Sequence, residues 1–361
     1  MTSPKTFIIA EAGVNHNGSI DIALQLVDAA AEAGADAVKF QTFRADHLVS
    51  KDAPKAEYQK TTTSHAESQY DMLKKLELSP EDHDRLLEHC KMRGIEFIST
   101  PFDRDSVDLL TDRLHVRRLK ISSGDLTNAP LLLHMARKKK PIILSTGMGT
   151  LGEIEIALQV LAFGLSASAS AEPSPDKFLA AYYSSAGRDA LKEYVSLLHC
   201  TTEYPAPFVD VNLKVMDTLY QAFGLQIGLS DHTPGIAVPI AAVARGASII
   251  EKHFTLDKTL PGPDHSASLE PQELKQMIES IRQVELALGG SVKVPAESER
   301  KNLNIARKSL VAACDISEGE VFNEENLTVK RPGNGFSPLM YWQLIGTRAP
   351  KSFAKDEVIR W

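Results

Sequence analysis

Cysteine, tryptophan and long apolar runs are all scarce in this chain, and each shortage narrows its class. Among 361 residues there are 3 cysteines and 2 tryptophans. Cys90, Cys200 and Cys314 are odd in number and far apart, with no Cys-x-x-Cys pair. They offer neither a disulfide framework nor a thiolate metal site, which fits a reducing cytoplasm; three buried thiols are expected. No apolar run approaches the roughly 18 residues that span a bilayer. The opening Met1-Thr-Ser-Pro-Lys-Thr6 lacks a basic segment followed by an apolar one, so neither a secretion signal nor a membrane partner is expected. Surplus positive charge is missing too. A net charge of −7 argues against a nucleic-acid partner, yet allows an anionic small molecule in a locally basic pocket.

What is present reads as an ordinary globular chain, 43% hydrophobic and 24% charged, long enough for one large α/β domain and a small second one. Eight β-type runs alternate with helical stretches over the first 290 residues, beginning near Phe7, Ala37, Glu96, Arg118, Ile142, Val195, Gln226 and Ser248. Helix signals lie between them. Ser79-Pro80 starts a helix that Gly94 stops, Thr150 and Glu153 form a capping box, and Leu274, Met277, Ile278, Ile281, Val284 and Leu288 make one stripe before Gly289-Gly290. Eight strand–helix units in a row predict a (β/α)8 TIM barrel over residues 1–290. A doubly wound sheet is the alternative, but the segment Glu11 to Gly18 does not fit the glycine-rich dinucleotide fingerprint. Residues 164–175, rich in Ala, Ser and Pro, read as a surface insertion. Residues 291–361 change to short strands and turns, with Ile316–Val321 echoed by Phe353–Val358, and predict a linker and small β-rich domain. Trp342 and Trp361 are expected to anchor it.

Barrel chemistry belongs at the C-terminal ends of the strands. There stand Glu11, Lys39, Thr100, Lys120, Ser123, Ser145, Thr202, His232 and His253. A lysine inside a strand is disfavoured unless its ammonium reaches water or an anion. Lys39 and Lys120, with Thr100, Ser123 and Ser145, fit a phosphate or carboxylate cradle. His232 and His253 end consecutive strands and could grip one divalent cation, with Glu251 beside the second; two unrelated core histidines are the plainer alternative. Two neutral imidazoles with water and substrate oxygens suit Mn²⁺ or Co²⁺ better than Mg²⁺ and leave Zn²⁺ open. His199 and Cys200 are expected to pack at a strand end.

A set of motifs then occurs in one order: Glu11 to Gly18, Val38-Lys-Phe-Gln-Thr42, Ser99-Thr-Pro-Phe102, Leu144-Ser-Thr-Gly-Met148, His199 to Pro205, Gly228-Leu-Ser-Asp-His232, Glu251-Lys-His-Phe254, Pro261-Gly-Pro-Asp264 and Lys330 to Gly335. Together they resemble bacterial sialic acid synthases, from about Phe7 to the C-terminus. The resemblance implies a barrel followed by an antifreeze-like SAF (β-clip) domain, and a cytoplasmic homodimer in which the small domains are swapped. It implies a metal, usually Mn²⁺ with Mg²⁺ or Co²⁺ as alternatives, on His232 and His253. It implies phosphoenolpyruvate on Lys39, Thr100, Lys120, Ser123, Ser145, Thr202 and Ser230, with Glu11 and Glu251 as acid–base carboxylates. It implies the amino sugar on Asp125, Tyr204, Asp264 and Arg331. Asp125 and Thr202 depart from residues that some members carry, glutamate and asparagine, which puts those contacts in question. The activity expected is N-acetylneuraminate synthase, joining phosphoenolpyruvate to N-acetylmannosamine with release of phosphate. The alternative is a legionaminic or pseudaminic acid synthase using a 6-deoxy diacetamido hexose. A sugar isomerase on the same barrel would want more carboxylate ligands than this one offers, and a non-catalytic polysaccharide-assembly protein would not need competent residues at every strand end.

Overall fold

Alternation along the strands explains both the barrel and where its chemistry sits. The computed structural model of the chain describes residues 5–51, 53–55 and 68–361. These fall into two compact units, Met1–Gly289 and Gly290–Trp361. In the first, β1 (Phe7–Gly13), β2 (Ala37–Thr42), β3 (Glu96–Pro101), β4 (Leu119–Ile121), β5 (Ile142–Ser145), β6 (Val195–Cys200), β7 (Gln226–Asp231) and β8 (Ile249–His253) form one parallel sheet in the order β3-β2-β1-β8-β7-β6-β5-β4. β3 and β4, at the ends of that order, touch and complete the round.

Successive side chains point to opposite faces of a strand. Ile9, Ala37, Ile98, Ile143, Leu198 and Ile249 pack together as an apolar plug inside the barrel. Two residues further along the same strands, on the same face, come Glu11, Lys39, Thr100, Ser145, Cys200 and Glu251. The polar layer therefore stands directly on the plug. Intervening residues such as Ile8, Ala10, Val38 and Leu197 join the larger core beneath the helices. Gly228 has to be small: a Cβ there would lie 2.4 Å from the Ile249 carbonyl oxygen and 2.7 Å from Leu198.

The helices are α1 (Ile20–Ala33), α2 (Ala45–Leu48), α3 (Gln69–Lys75), α4 (Pro80–Arg93), α5 (Arg104–Asp108), α6 (Ala129–Arg137), α7 (Leu151–Ser166), α8 (Pro175–Tyr183), α9 (Ser185–Tyr194), α10 (Val215–Phe223), α11 (Ala237–Ala244) and α12 (Pro271–Leu288). The expected caps form: Ser79 with Asp82 opens α4, Gly94 closes it at φ 69°, and Thr150 with Glu153 opens α7. On α12, Leu274, Met277, Ile278 and Ile281 are buried, while Leu288 emerges at the helix end. The insertion begins later than composition implied. Gly164 to Ser166 remain helical because Gly164 meets α6, where a Cβ would lie 2.5 Å from that of Ala136.

The second unit holds α13 (Glu297–Ala306), β9 (Ser309–Ala312), β10 (Leu327–Lys330) and α14 (Tyr341–Leu344). β9 and β10 pair antiparallel, and the echoed segments pair with each other at Ile316 and Phe353. Its core contains Leu310, Phe322, Phe353 and Ile359, and Trp361 stacks on Phe322. Trp342 is no buried anchor: it is 74% exposed, and its one ring contact among the described residues is with Tyr341. Cys314 is also exposed, so only Cys90 and Cys200 are buried thiols.

Candidate active site

Strand register sets the lateral order of the site. Lys39 lies opposite Glu11, Glu11 opposite His253, and Glu251 opposite Ser230. All open into one cavity of about 370 Å³ at the C-terminal mouth of the barrel. Of the residues expected there, Glu11, Lys39, Thr100, Lys120, Ser123, Ser145, Thr202, Tyr204, Ser230, His232, Glu251, His253 and Asp264 line that cavity.

Four buried charges alternate within it. Lys39 Nζ lies 2.6 Å from Glu11 Oε2 and donates to Thr100 Oγ1 at 2.9 Å. Lys120 Nζ donates to Ser145 Oγ at 2.7 Å, and its ammonium stands 3.5 Å from Glu251 Oε1. Ser230 Oγ donates to the same Glu251 oxygen at 3.0 Å. Two ammonium groups and two carboxylates cancel formally, which is how four ionisable groups tolerate burial. Their environments are unequal. Burial pushes the Glu11 carboxyl up to about 7 despite the pull of Lys39. Burial also opposes charge on Glu251, but Lys120, Lys39 and the Ser230 hydroxyl hold it below the usual carboxylate range. Pairs of carboxyls driven apart in this way suit separate acid and base duties.

Gly147 brings hydroxyls to the rim. Its N–H donates to Ser123 Oγ at 3.0 Å, and a Cβ there would stand 2.3 Å from Thr202 Oγ1. That Thr202 oxygen is buried and has no hydrogen-bond partner among the described residues.

The two imidazoles fit a cation. Their ring centroids are 5.4 Å apart, with Tyr204 against both at 4.1 and 5.4 Å. His232 Nδ1 lies 2.6 Å from the Thr201 carbonyl oxygen. A carbonyl only accepts, so Nδ1 carries a proton and Nε2 is the nitrogen left to ligate. Burial opposes charge on this ring, but Cys200 and the Thr201 carbonyl raise its pKa above the ordinary value, so a cation there would displace a proton. His253 Nδ1 is buried without a hydrogen-bond partner among the described residues, and burial holds that ring well below its ordinary pKa, in the neutral form that ligates. Among the described residues, three His, Cys, Asp or Glu donor atoms close enough for one ion occur only at His47, Asp103 and Asp105. There Asp103 already caps α5 through the N–H and hydroxyl of Ser106. The His232–His253 pair would thus depend on non-protein oxygens to complete coordination, as an open Lewis-acid site does.

Two of the residues expected at the sugar make contacts of their own. Asp125 does not line the cavity: its carboxylate accepts from Ser122 Oγ at 2.7 Å and Asn128 Nδ2 at 3.0 Å, bracing its own turn. Arg331 belongs to the second unit, where its Nε donates to the Ala306 carbonyl oxygen at 3.0 Å. Conversely, Cys200 is more than packing, since it lines the cavity with Sγ 3.8 Å from His232 Nδ1. Gln41 also lines it and had a legible signal, the same face as Lys39 two residues on. Lys252 takes the opposite face of β8 and pairs with Asp231 at 2.6 Å, both fully buried.

Comparisons with known proteins bear on this geometry. The NeuB family matches residues 26–293 and the SAF domain residues 307–361. The N,N'-diacetyllegionaminic acid synthase of Campylobacter jejuni is 51% identical, over 99% of both chains. That of Legionella pneumophila is 47% identical, over all of this chain and 95% of the relative. A crystal structure of N-acetylneuraminic acid (sialic acid) synthetase from Leptospira borgpetersenii, in complex with citrate, is 33% identical with a TM-score of 0.65, over 83% of this chain and 90% of that one. The expectation of N-acetylneuraminate synthase is overturned by the two relatives near one-half identity, which favour the legionaminic alternative. The reason is physical. Most of the motifs that carried the resemblance surround the charged floor and the imidazole pair, which both readings require, so they did not separate one sugar from the other.

Proposed function

This chain belongs to the NeuB family and is a phosphoenolpyruvate-dependent, carbon–carbon bond-forming transferase; from that premise we propose that it joins phosphoenolpyruvate to a 6-deoxy diacetamido hexose, giving N,N'-diacetyllegionaminic acid and phosphate. The observation that carries the reaction is the buried Lys39 and Lys120 pair sharing one cavity with His232 and His253. The sugar rests on the two legionaminic relatives.

Phosphoenolpyruvate lies on Lys39 and Lys120, with Thr100, Ser123, Ser145, Thr202 and Ser230 donating to its phosphate and carboxylate oxygens. The incoming anion takes over the ammonium groups that Glu11 and Glu251 hold in its absence. A divalent metal, for which we favour Mn²⁺, would be held by His232 and His253 and would supply Lewis-acid polarisation of the sugar carbonyl. C3 of phosphoenolpyruvate forms the new bond to that carbonyl carbon as the C=O π bond breaks. The carbonyl oxygen takes up a proton and becomes a hydroxyl, and an oxocarbenium is left at C2. Water adds at C2 and gives one proton to Glu11. The new C2 hydroxyl gives up its other proton to the departing phosphate as the bond from C2 to the bridging phosphate oxygen breaks, leaving a C2 ketone. A base with a pKa near 7 is matched to that transfer. Tyr204 and Asp264 face the sugar, and Arg331 of a second copy reaches it in a homodimer with exchanged SAF domains. Cytoplasmic residence is consistent with the free cysteines and with the lack, among the described residues, of a helix long and apolar enough to cross a membrane.

The test is phosphate release from protein, Mn²⁺, phosphoenolpyruvate and each sugar in turn. Turnover of the 6-deoxy diacetamido hexose well above N-acetylmannosamine is expected. No turnover of the diacetamido sugar would overturn the reading.

A further inference from the structure

The cavity changes character one layer above the strand ends. Over β6 to β8 its wall is polar, with Thr202, Tyr204 and Asp264. Over β1 to β3 it is mostly apolar, formed by Val14, Leu48, Met72, Leu73, Leu76 and Phe102, with Gln41 and Gln69 as its polar side chains. These side chains are not loosely placed. Val14, Met72 and Leu76 are buried and, with Phe43, form a separate apolar cluster against which Leu48, Leu73 and Phe102 pack. Phe43 and Phe102 meet edge to face at 6.2 Å, which steadies the wall. Three different segments converge here, the β1 loop, α2 with α3, and the end of β3. A charged floor with a one-sided greasy rim is unneeded for phosphoenolpyruvate, a small polyanion.

We propose that this wall is a specificity determinant that receives the methyl-terminated end of the acceptor sugar. The proposal rests on the reading that the cavity joins phosphoenolpyruvate to an amino sugar. The reacting carbon must approach the lysine and imidazole floor, so the remaining carbons extend outward past the rim. A sugar bearing a C6 methyl presents there a group the wall can bury. A C6 hydroxyl set against Leu48, Leu73 and Phe102 would be desolvated and would gain no hydrogen bond from those three side chains. An apolar pocket discriminates against an added hydroxyl by up to about a hundredfold. The wall thus reads deoxygenation at C6, which the floor cannot.

The experiment compares two sugars that differ only there, N-acetylmannosamine and its 6-deoxy analogue, in kcat/KM at saturating phosphoenolpyruvate. Wild type is expected to favour the 6-deoxy sugar by about tenfold to a hundredfold. Leu48→Gln and Leu73→Gln, both at half-buried positions, should cut that ratio by about tenfold and leave KM for phosphoenolpyruvate unchanged. A ratio is insensitive to how much protein folds, and calorimetric affinities for the same pair read it where turnover is slow. An unchanged ratio in both variants, or a wild type indifferent to C6, would sink the proposal. Failure of the underlying functional reading looks different: the diacetamido sugar would not turn over at all.

Discussion

Glu11 shows most clearly how a single side chain is tuned by its place. Buried between Lys39 and Glu251, it has a folded-state pKa near 7 against an ordinary 4.5. A raised pKa means that its contribution to stability is complete below pH 4.5 and is lost as pH rises through 7. The gap corresponds to roughly 3 kcal/mol. In the metal-free, substrate-free protein, Glu11→Gln should therefore gain stability relative to wild type between pH 4.5 and 7, then level off. Urea unfolding at pH 5, 6, 7 and 8 checks this; a difference that stays flat with pH would count against it. The same variant should lose catalysis, because glutamine cannot accept the proton of the attacking water. Glu11 was legible in the sequence because it ends a run of apolar residues. Its elevated pKa was not, since that depends on β2 and β8 closing around it.

At the scale of elements, the alternation of strands separates two kinds of buried charge. Glu251 and His253 face the cavity, whereas Lys252 between them points out and pairs with Asp231, also contacting the Thr233 carbonyl. This pair ties β8 to β7 on the side away from the chemistry, directly beneath the turn that carries His232. Lys252→Met should destabilise the protein by about 3–5 kcal/mol, because it strands the Asp231 carboxylate in the interior. Replacing both residues, Lys252→Met with Asp231→Leu, should restore part of that loss but not all, because Asp231 also accepts from the buried Thr233 N–H at 3.1 Å and from the Thr233 hydroxyl at 3.0 Å. Chemical denaturation of the two variants distinguishes this from simple loss of packing, which the double replacement would not repair. Gly228→Ala is a second element-scale case. Its Cβ would press on the Ile249 backbone, and a loss of about 1–3 kcal/mol is expected from the same measurement. Caps and stripes on the helices were readable because they depend on neighbours in sequence, as at Ser79 and Thr150. The apolar rim was not, because Val14, Leu48, Met72 and Phe102 come from separate segments whose meeting no local pattern announces.

For the whole molecule, the exchanged homodimer makes a prediction that needs two chains. A Lys120→Ala chain keeps a sound Arg331, and an Arg331→Ala chain keeps a sound barrel. If each SAF domain serves the neighbouring barrel, mixing the two inactive variants after unfolding and refolding yields one complete site per mixed dimer. Statistical pairing then restores about a quarter of wild-type activity. No recovery, with mixed dimers confirmed by mass, would show that Arg331 does not act across copies. Sequence alone determined the eight alternating units and the change of pattern that marks the small terminal unit, and it singled out the lysines and histidines at strand ends, because these depend on neighbours along the chain and on charges that no strand buries without cause. Tertiary structure alone decided which of those residues share a cavity, turned Asp125 onto its own loop, raised Cys200 to a cavity residue and built the apolar rim. Those outcomes depend on distances between segments far apart in the chain, and the distances exist only once the sheet has closed.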